Sequence, residues 1–326
     1  MTEGPPIKAV LHYRASPGFR ARLDAAAPPW LRVTIVAEND RASLVRELAD
    51  TTVLLHVLEP VTADLLAAAP RLLLVQKIGV GVNTIDLDAA RAHGVGVANM
   101  PGTNTQAVVE LTLALMLAAL RRLPTLDRSV REGRGWSLDR AMFDGVGELG
   151  GRTVGLVGWG AVARRLAPVL VALGATVVYT ARRPAPDAVA AWRPLDELLA
   201  IADIVSLHVP LTAETAGMLN AAALARMKPG AILVNTARGG LVDERALAEA
   251  LRTGRVRAAA LDVFAEEPPA AGDALVSTDA TVLSPHVAWL TPETLDRSLA
   301  VAIENCRRLR AGERLLHEVV PPRRRF

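Results

Sequence analysis

The stretch TVGLVGWGAVARRL, residues 153–166, decides the fold because it joins three features that seldom occur together. A short apolar run at 154–157 predicts a buried strand, and residues 164–174 predict a helix. Between them, Gly158, Gly160 and Ala163 have the spacing of the GxGxxG/A turn that binds dinucleotides. Glycine permits the tight turn and a close backbone approach to a pyrophosphate, and a small third residue lets helix and strand pack closely. The alternative is an ordinary strand-to-helix turn without a ligand.

The composition indicates an α/β protein with two domains. The chain has 326 residues, of which 51% are hydrophobic but only 3% aromatic, and this length is sufficient for two cores. An abundance of Ala, Val and Leu suits parallel strands that are covered by helices. The net charge of +3 is small for this length and no basic groove stands out, so we expect no nucleic-acid partner.

The single cysteine, Cys306, excludes an internal disulfide and leaves no ligand cluster for zinc, so we expect no metal. We interpret Cys306 as a small buried hydrophobic residue on the last helix. The chain begins without a basic and then apolar leader, and the most apolar helical run, 111–120, is too short for a membrane span. These features favour a cytoplasmic protein with no membrane partner.

Strands and helices alternate along the chain, which predicts two doubly wound parallel sheets. In the first hundred residues strands are predicted at Ile7–His12, 31–37, 52–57 and 72–78. The sheet that starts at 153 continues at Thr176–Thr180, 204–208, Ala231–Asn235, 258–262 and 281–284, and a helix over 292–310 follows. A turn-rich segment at 98–106 leads into an apolar helix over 108–120 and marks the first domain crossing.

Two segments outside the strands suggest binding surfaces. The run GVGVNTIDLDAA, residues 79–90, offers the backbone amides of Gly79, Val80 and Gly81 as an anion cradle. The alternative is a loop that enters a helix, with Asp86 or Asp88 as its cap. The glycine-rich segment 133–151 carries aromatic residues and is predicted to be an extended arm, where an exposed aromatic side chain would mark a subunit interface.

The second strand of the fingerprint sheet indicates the cofactor. An NAD site usually has an acidic residue about 20 residues beyond the glycines, which binds the ribose hydroxyls. Here the strand ends at Thr180, and Arg182 and Arg183 follow, so no carboxylate repels a 2′-phosphate. Guanidinium groups bind phosphate with paired hydrogen bonds, which favours NADP(H). If both arginines are only solvated loop residues, NAD(H) remains open.

Three further segments lie at predicted strand ends, where open α/β sheets bind their ligands. They contain Arg238 in NTARGG, Glu267 in DVFAEEP, and His286 in SPHVAW. We expect these three side chains to meet in one site. Taken singly, each has an ordinary alternative as a surface ion pair, a loop charge or a turn histidine.

With these segments in view, the sequence closely resembles the D-isomer-specific 2-hydroxyacid dehydrogenases over nearly the whole chain. The resemblance rests on GVGVNTID, GWGAVA, SLHVPLT at 206–212, NTARG, DVFAEEP and SPH, which occur in the order of the family. Trp289 and the Thr180 segment resemble the NADPH-linked glyoxylate and hydroxypyruvate reductases within it. The sequence departs from the common family pattern at Leu111 and at 83–84.

The resemblance implies a substrate domain at 1–100 and 290–326, a dinucleotide domain at 101–289, a cleft between them, and a homodimer. It implies that His286 is the proton donor, that Glu267 holds its imidazole, and that Arg238 binds substrate carboxylate and carbonyl oxygens with help from the cradle at 79–81. Asp262 would lie near the nicotinamide, unless it is a local cap. The other residues implied in cofactor binding are Gly158, Trp159, Gly160, Ala161, Val162, Thr180, Arg182, Arg183, His208, Val209, Pro210, Thr215, Thr236, Ala237 and His286.

The favoured function is therefore an NADP(H)-dependent oxidoreductase that interconverts small 2-keto and 2-hydroxy acids, of the glyoxylate/hydroxypyruvate reductase type. A short phosphoglycerate dehydrogenase using NAD is the alternative within this class. A dinucleotide-sensing module that binds other proteins is the alternative from another class. The histidines at 12, 56, 93 and 317 are expected to be structural, and His208 to be structural or near the cofactor.

Overall fold

The computed structural model of the chain describes residues 6–186 and 189–323. The chain divides into two compact units. Unit 1 comprises 1–104 and 290–326, and unit 2 comprises 105–289. The assignment of unit 1 to substrate and unit 2 to a dinucleotide stays a prediction at this point.

Unit 1 is an α/β layer structure built on one sheet. Its strands are β1 Ile7–His12, β2 Leu31–Val36, β3 Val53–His56, β4 Leu74–Lys77, β5 Gly96–Ala98 and β13 Glu318–Val320. Its helices are α1 Pro17–Ala26, α2 Arg41–Leu48, α3 Ala63–Ala67, α4 Leu87–His93 and α11 Pro292–Ala311. In the described residues the strand order is β13-β5-β4-β3-β1-β2. All neighbours are parallel except β13, which pairs antiparallel with β5.

Short polar side chains begin the helices of unit 1. The side chain before each helix accepts a hydrogen bond from an amide in the first turn, which satisfies one of the free donors there. The residues that act in this way are Ser16, Asp40, Thr62, Asp86 and Thr291. Cys306 is fully buried on α11, as its apolar interpretation predicts.

Unit 2 contains the fingerprint sheet. Its strands are β6 Thr153–Val157, β7 Thr176–Thr180, β8 Ala191–Trp192, β9 Ile204–Leu207, β10 Ala231–Asn235, β11 Val256–Leu261 and β12 Thr281–Leu283. Its helices are α5 Thr105–Arg121, α6 Leu123–Arg131, α7 Ala161–Ala172, α8 Leu195–Ile201, α9 Ala221–Arg226 and α10 Glu244–Arg252. The described strands are all parallel, in the order β12-β11-β10-β9-β6-β7-β8.

Helices cover both faces of this sheet because its strands are apolar on both sides. Leu233 belongs to a core cluster that includes residues of α8, α9 and α10. Its neighbours Ile232 and Val234 belong to a second cluster, with residues of α5 and α7. Successive strand residues point to opposite faces, so the two clusters lie on opposite sides of the sheet. The predicted α/β fold with two doubly wound sheets is confirmed.

The order of the second sheet creates a switch point between β6 and β9. From β6 the chain first runs outward through β7 and β8 and then returns to the other side of β6 as β9. Ligands of open α/β sheets bind at the carboxyl ends of the strands at such a point. The turn at 158–160 follows β6 at this edge, and the loop at 208–212 follows β9.

The segment 133–151 differs from the predicted extended arm. A 3-10 helix, Arg140–Gly145, occupies its centre, and the Asp139 carboxylate caps it by accepting a hydrogen bond from the Ala141 amide. The aromatic side chains are nevertheless exposed, Trp136 to 92% and Phe143 to 46%. Local capping therefore shapes the arm, while its aromatic surface remains uncovered.

The residues that the structure describes contain no candidate membrane span and no candidate metal site. None of their helices combines the length and the apolar character that crossing a bilayer requires. Nor does any group of three or more His, Cys, Asp or Glu side chains there have an arrangement that would hold a metal ion.

Candidate functional site

The fingerprint turn between β6 and α7 fits a dinucleotide. Gly158 has φ +106°, and a Cβ at this position would lie 2.5 Å from the carbonyl oxygen of His208, so both conformation and space require glycine. A Cβ on Gly160 would meet no protein atom within 4 Å, which leaves open space beside the helix N-terminus. The amides of the first turn, at Ala161 and Val162, lack carbonyl partners within α7 and can bind phosphate oxygens.

Trp159 lies between the two glycines and packs on the sheet. Its ring centroid is 4.2 Å from that of Tyr179, the rings are inclined by 31°, and the Arg164 guanidinium lies 5.7 Å from the indole. The buried indole N–H has no hydrogen-bond acceptor among the described residues. The side chain therefore anchors the turn to the core through ring packing.

The end of β7 carries no carboxylate. The Gly158 amide donates to the Thr180 carbonyl at 2.9 Å, which joins this strand end to the fingerprint turn. The side chains of Arg182 and Arg183 are exposed immediately beyond it. Positive charge and a hydroxyl therefore stand where an NAD site has an acid.

His208 lies at the end of β9, next to the fingerprint turn. Its Nε2 is 2.9 Å from the Ser206 hydroxyl, and its backbone amide donates to the Val157 carbonyl at 2.7 Å. Burial lowers the pKa of this imidazole to about 4, so it is neutral at physiological pH. Beyond it, the Thr215 hydroxyl donates to the Pro210 carbonyl at 2.6 Å and so shapes the loop that starts with Val209.

Arg238 follows β10 and is braced from within the strand. The Asn235 side-chain amide donates to the Arg238 carbonyl at 2.9 Å, and its oxygen accepts from the Ala237 amide at 3.0 Å. Thr236 is buried, with its hydroxyl 2.8 Å from that of Thr112 on α5. Burial lowers the pKa of the Arg238 guanidinium, and the negative charge of Glu267 opposes this shift.

Gly239 packs the loop of Arg238 directly against the loop of Glu267. A Cβ at this position would overlap the carbonyl group of Phe264 and the amide nitrogen of Ala265. The Ala265 amide also donates to Glu244 Oε1 at 2.7 Å, which ties the loop to the start of α10. The spacing between the guanidinium-bearing and carboxylate-bearing loops therefore depends on the missing side chain at Gly239.

Glu267 and His286 form a hydrogen-bonded pair. His286 Nδ1 lies 2.6 Å from Glu267 Oε2, and the other carboxylate oxygen accepts from the Phe264 amide at 3.0 Å. Burial alone would raise the pKa of the Glu267 carboxyl, but hydrogen bonds from His286 and Phe264, with the charges of His286 and Arg238, lower it below its usual value. An ionised carboxylate can only accept a hydrogen bond, so Nδ1 of His286 carries a proton. The other ring nitrogen, Nε2, is left for proton transfer.

Asp262 holds the loop that bears His286. Its fully buried carboxylate accepts hydrogen bonds from the Ser284 hydroxyl at 2.6 Å and from the amides of Val287 and Ala288 at 3.0 Å each. Its carbonyl accepts from the His286 amide at 2.7 Å. This geometry is that of the local cap, one of the two interpretations that the sequence left open.

In unit 1, the loop after β4 contains the predicted anion cradle. The Gly79 carbonyl accepts from the Met100 amide at 3.0 Å, and the Val80 carbonyl accepts from the Asn99 side chain at 2.8 Å. The amides of Val80 and Gly81 donate to no atom of the described residues. Asp86 caps α4 at the same time, so the cap and a cradle are compatible in one segment.

His12 and His56 are buried at the ends of β1 and β3. His56 Nε2 donates to the Glu59 carbonyl at 2.6 Å. Burial, reinforced by the charge of Lys77, lowers the pKa of His56 to about 3, and burial also lowers that of His12. Both imidazoles are therefore neutral parts of the core of unit 1.

Several residues that shape this site were given no role on the basis of the sequence. Gly239, Ser284 and Glu244 touch the loops of Arg238, His286 and Glu267 through close packing or hydrogen bonds. The paired glycines at 239–240 and the serine two residues before His286 were available signals. Glu244 gives no signal, because a glutamate in the first turn of a helix is common.

Comparison with known proteins supports the same interpretation. A family model described as "D-isomer specific 2-hydroxyacid dehydrogenase, NAD binding domain" matches residues 113–288. The D-3-phosphoglycerate dehydrogenase of Mycobacterium bovis is 43% identical over 294 residues, which are 89% of this chain but 55% of that protein. The chain thus spans about half the length of the phosphoglycerate dehydrogenases that it matches.

Two further relatives have a length closer to that of this chain. The glyoxylate reductase of Aeropyrum pernix is 42% identical over 253 residues, 75% of each chain. A solved structure of the NADPH-dependent glyoxylate/hydroxypyruvate reductase of Sinorhizobium meliloti, in complex with NADP and malonate, has a TM-score of 0.83. It is 30% identical and covers 98% of this chain and 99% of its own.

The fold and the family model define an α/β protein with a nicotinamide dinucleotide binding domain over residues 113–288. With the family model and the relatives added, the chain belongs to the D-isomer specific 2-hydroxyacid dehydrogenase family.

Proposed function

We propose that the protein is an NADP(H)-dependent reductase of small 2-keto acids such as glyoxylate or hydroxypyruvate, which gives the D-hydroxy acid where a stereocentre forms. The observation that carries this proposal is the bond of 2.6 Å between His286 Nδ1 and Glu267 Oε2 in the same unit as the dinucleotide turn. Besides a hydride donor, carbonyl reduction requires a proton donor and a positive charge near the carbonyl oxygen, and His286 held by Glu267 and the partly buried Arg238 provide these two groups.

Each member of this group has a distinct task. When bound, the nicotinamide cofactor supplies the hydride. His286 donates a proton from Nε2 to the carbonyl oxygen as negative charge develops there, since Glu267 already engages Nδ1. Glu267 fixes the ring orientation and stabilises the protonated imidazole. Among these three residue types only histidine has a side chain that ordinarily changes charge near neutral pH, and the acid–base role is therefore assigned to His286.

In this proposal Arg238 binds the substrate carboxylate. A guanidinium donates two parallel hydrogen bonds to a carboxylate, and its burial strengthens them. In unit 1, the amides of Val80 and Gly81, which have no partner in the described part of the chain, can donate hydrogen bonds to a carboxylate. Unit 1 would accordingly serve the substrate and unit 2 the dinucleotide.

The preference for NADP(H) over NAD(H) rests on the end of β7. Thr180, Arg182 and Arg183 offer a hydroxyl and two exposed cations to a 2′-phosphate. The related Sinorhizobium meliloti reductase is described as NADPH-dependent and was solved with NADP. We further propose that the protein acts as a cytoplasmic homodimer, in keeping with its single buried cysteine and its exposed aromatic arm.

A second candidate function is phosphoglycerate dehydrogenase activity with NAD. The observation in its favour is the 43% identity to the mycobacterial enzymes of that name. The same Arg238, Glu267 and His286 would serve it, so the two candidates differ in cofactor and in the tail of the substrate. A dinucleotide-sensing module, by contrast, would not need the proton donor at all.

Replacing His286 by Ala tests the shared chemistry. We expect kcat to fall by about 10²- to 10⁴-fold, the range for loss of a general acid. NADPH affinity, measured by quenching of intrinsic fluorescence, should stay within about twofold because the imidazole is bonded to Glu267 rather than to the fingerprint turn. His93→Ala, at a partly exposed helix end, is the matched control. Unchanged turnover in His286→Ala would remove this residue from the mechanism.

A further inference from the structure

The backbone of the loop after β7 is held at three points. The Gly158 amide donates to the Thr180 carbonyl at 2.9 Å. The Trp192 indole N–H donates to the Ala181 carbonyl at 3.0 Å, and the Ala185 amide donates to the Tyr179 hydroxyl at 2.6 Å. These bonds bracket the two arginines at 182 and 183, so the segment that carries them has a fixed backbone.

Tyr179 and Trp192 reach this loop because of strand register. They are direct partners on the parallel strands β7 and β8, so their side chains lie on the same face of the sheet. Tyr179 is 1% exposed, and its ring packs on Trp159 of the fingerprint turn with 4.2 Å between centroids. Two large aromatic side chains therefore extend from a rigid core to the loop and bind its backbone with their polar ends.

Neither guanidinium group is held by a hydrogen bond among the described residues, but the charge of Arg182 acts on a nearby carboxylate: the pKa of Glu214 is lowered first by its hydrogen bond with Thr212 and also by Arg182. Arg182 and Arg183 are exposed, and within residues 6–186 and 189–323 no hydrogen bond or ion pair engages either side chain. A loop whose backbone is ordered before binding, with its charged ends still free of hydrogen bonds, loses less conformational freedom when it meets an anion. This arrangement is that of a preformed phosphate site.

We propose that Tyr179 and Trp192 are positioning residues that hold the 181–185 loop in the shape that accepts a 2′-phosphate, and that they set the preference for NADP(H) over NAD(H). The inference rests on the proposed function, because it deepens the assignment of the end of β7 to the cofactor. Neither aromatic side chain has to touch the cofactor: each acts through a backbone atom of the loop.

This role predicts a selective defect. Loss of one side-chain hydrogen bond to the loop should weaken 2′-phosphate binding by about three- to tenfold, which corresponds to the usual net contribution of such a bond. A ligand with a free 2′-hydroxyl does not use the two arginines, so its affinity should change less than about twofold. A residue that merely stabilises the fold would affect both ligands equally.

Two adenosine nucleotides provide the test on the intact protein. The dissociation constants of adenosine 2′,5′-bisphosphate and adenosine 5′-monophosphate would be measured by titration calorimetry for wild type, Tyr179→Phe and Trp192→Phe. Tyr13→Phe is the matched control, since Tyr13 is the other tyrosine of the sequence and lies in unit 1. We expect selective weakening of the bisphosphate in both variants and none in the control. The partly buried Trp192 keeps the test decisive if Tyr179→Phe does not fold.

The outcomes separate this inference from the proposed function. If wild type binds the bisphosphate no better than the monophosphate, the NADP(H) preference itself is wrong and the inference falls with it. If wild type prefers the bisphosphate but both variants keep that preference, or lose affinity for both nucleotides equally, the positioning role alone is overturned.

Discussion

His286 adopts a left-handed backbone conformation with φ +54°, which costs a non-glycine residue about 1–2 kcal/mol. The compensation comes from Asp262, which accepts three hydrogen bonds on its carboxylate and one on its carbonyl from residues 284–288. Hydrogen bonds to a charged group contribute about 1.5–3 kcal/mol each, so the loop can be held in this strained form. In this backbone conformation His286 Nδ1 lies 2.6 Å from Glu267 Oε2.

Each acidic or basic residue of the candidate site could be predicted from the sequence. The contacts that hold these residues in place could not. Arg238, Glu267 and His286 follow predicted strands, and parallel strand ends gather at one edge, so sequence alone predicted their proximity. The cap by Asp262 and the close contact of Gly239 with Phe264 depend on how two loops cross in space. The periodicity and the spacing of residues in the sequence do not predict where two loops cross.

His56 should make the stability of the protein dependent on pH. Its folded pKa of about 3 results first from burial and then from the charge of Lys77, whereas the unfolded chain titrates near pH 6.5. The unfolded state therefore binds the proton more readily, and stabilisation is complete above about pH 6.5 and lost as pH falls toward 3. At pH 5 the loss should be about 2 kcal/mol from this group alone.

Urea unfolding at pH 7.5 and pH 5 checks this prediction. His56→Gln should reduce the difference in unfolding free energy between the two pH values by about 2 kcal/mol relative to wild type. His93→Gln, at the partly exposed end of α4, should keep the wild-type difference. Equal pH dependence in His56→Gln and wild type would show that the imidazole does not titrate as its burial requires.

At the level of the elements, the turn between β6 and α7 contains two glycines with different roles. We expect Gly158 to be needed for stability and Gly160 for cofactor binding. Gly158→Ala places a Cβ 2.5 Å from the His208 carbonyl at φ +106°, so we expect about 2 kcal/mol or more of destabilisation. Gly160→Ala meets no protein atom within 4 Å and has φ −85°, so thermal stability should be kept. Cofactor affinity should nevertheless fall by about tenfold or more, since the Cβ occupies the space for the pyrophosphate.

Calorimetry of both variants, with and without NADPH, distinguishes the two effects. Equal stability of Gly158→Ala and wild type would contradict the packing described at His208. Wild-type affinity for NADPH in Gly160→Ala would show that the pyrophosphate does not lie beside this glycine.

The long apolar strands and the edge strand β12 were predicted well, whereas the short strands β5, β8 and β13 were missed. Predicted and observed bounds agree for β1, β7 and β10, because their apolar residues are buried on both faces. Strands β8 and β13 have two and three residues and too little apolar sequence to stand out. The antiparallel direction of β13 also depends on the return of the chain after α11, which only tertiary structure fixes.

In the whole molecule, one pattern of alternating strands and helices forms two α/β units. The two sheets differ in strand order. Within the described residues, the sheet of unit 1 has six strands, whereas the sheet of unit 2 has seven and its switch point lies at the fingerprint turn. Composition predicted the class, while the motif at 153–166 identified which sheet binds the dinucleotide.

The apolar surface of segment 123–143 predicts a homodimer. Leu123, Val130, Trp136 and Phe143 are exposed to between 46% and 92%, which is unusual for large hydrophobic side chains so close in sequence. We expect Trp136→Asp to shift the protein from two copies to one in light scattering after size-exclusion chromatography. Val276→Asp, an exposed apolar position outside this segment, is the control and should remain dimeric. A monomeric wild type would contradict the prediction.

We propose to test the reduction of small 2-keto acids with NADPH by measuring initial rates of the purified protein. NADPH and NADH would each be assayed with glyoxylate, hydroxypyruvate, pyruvate and phosphohydroxypyruvate. We expect the highest kcat/KM for NADPH with glyoxylate or hydroxypyruvate. Activity confined to NADH with phosphohydroxypyruvate, or cofactor binding without turnover of any of the four acids, would contradict this expectation.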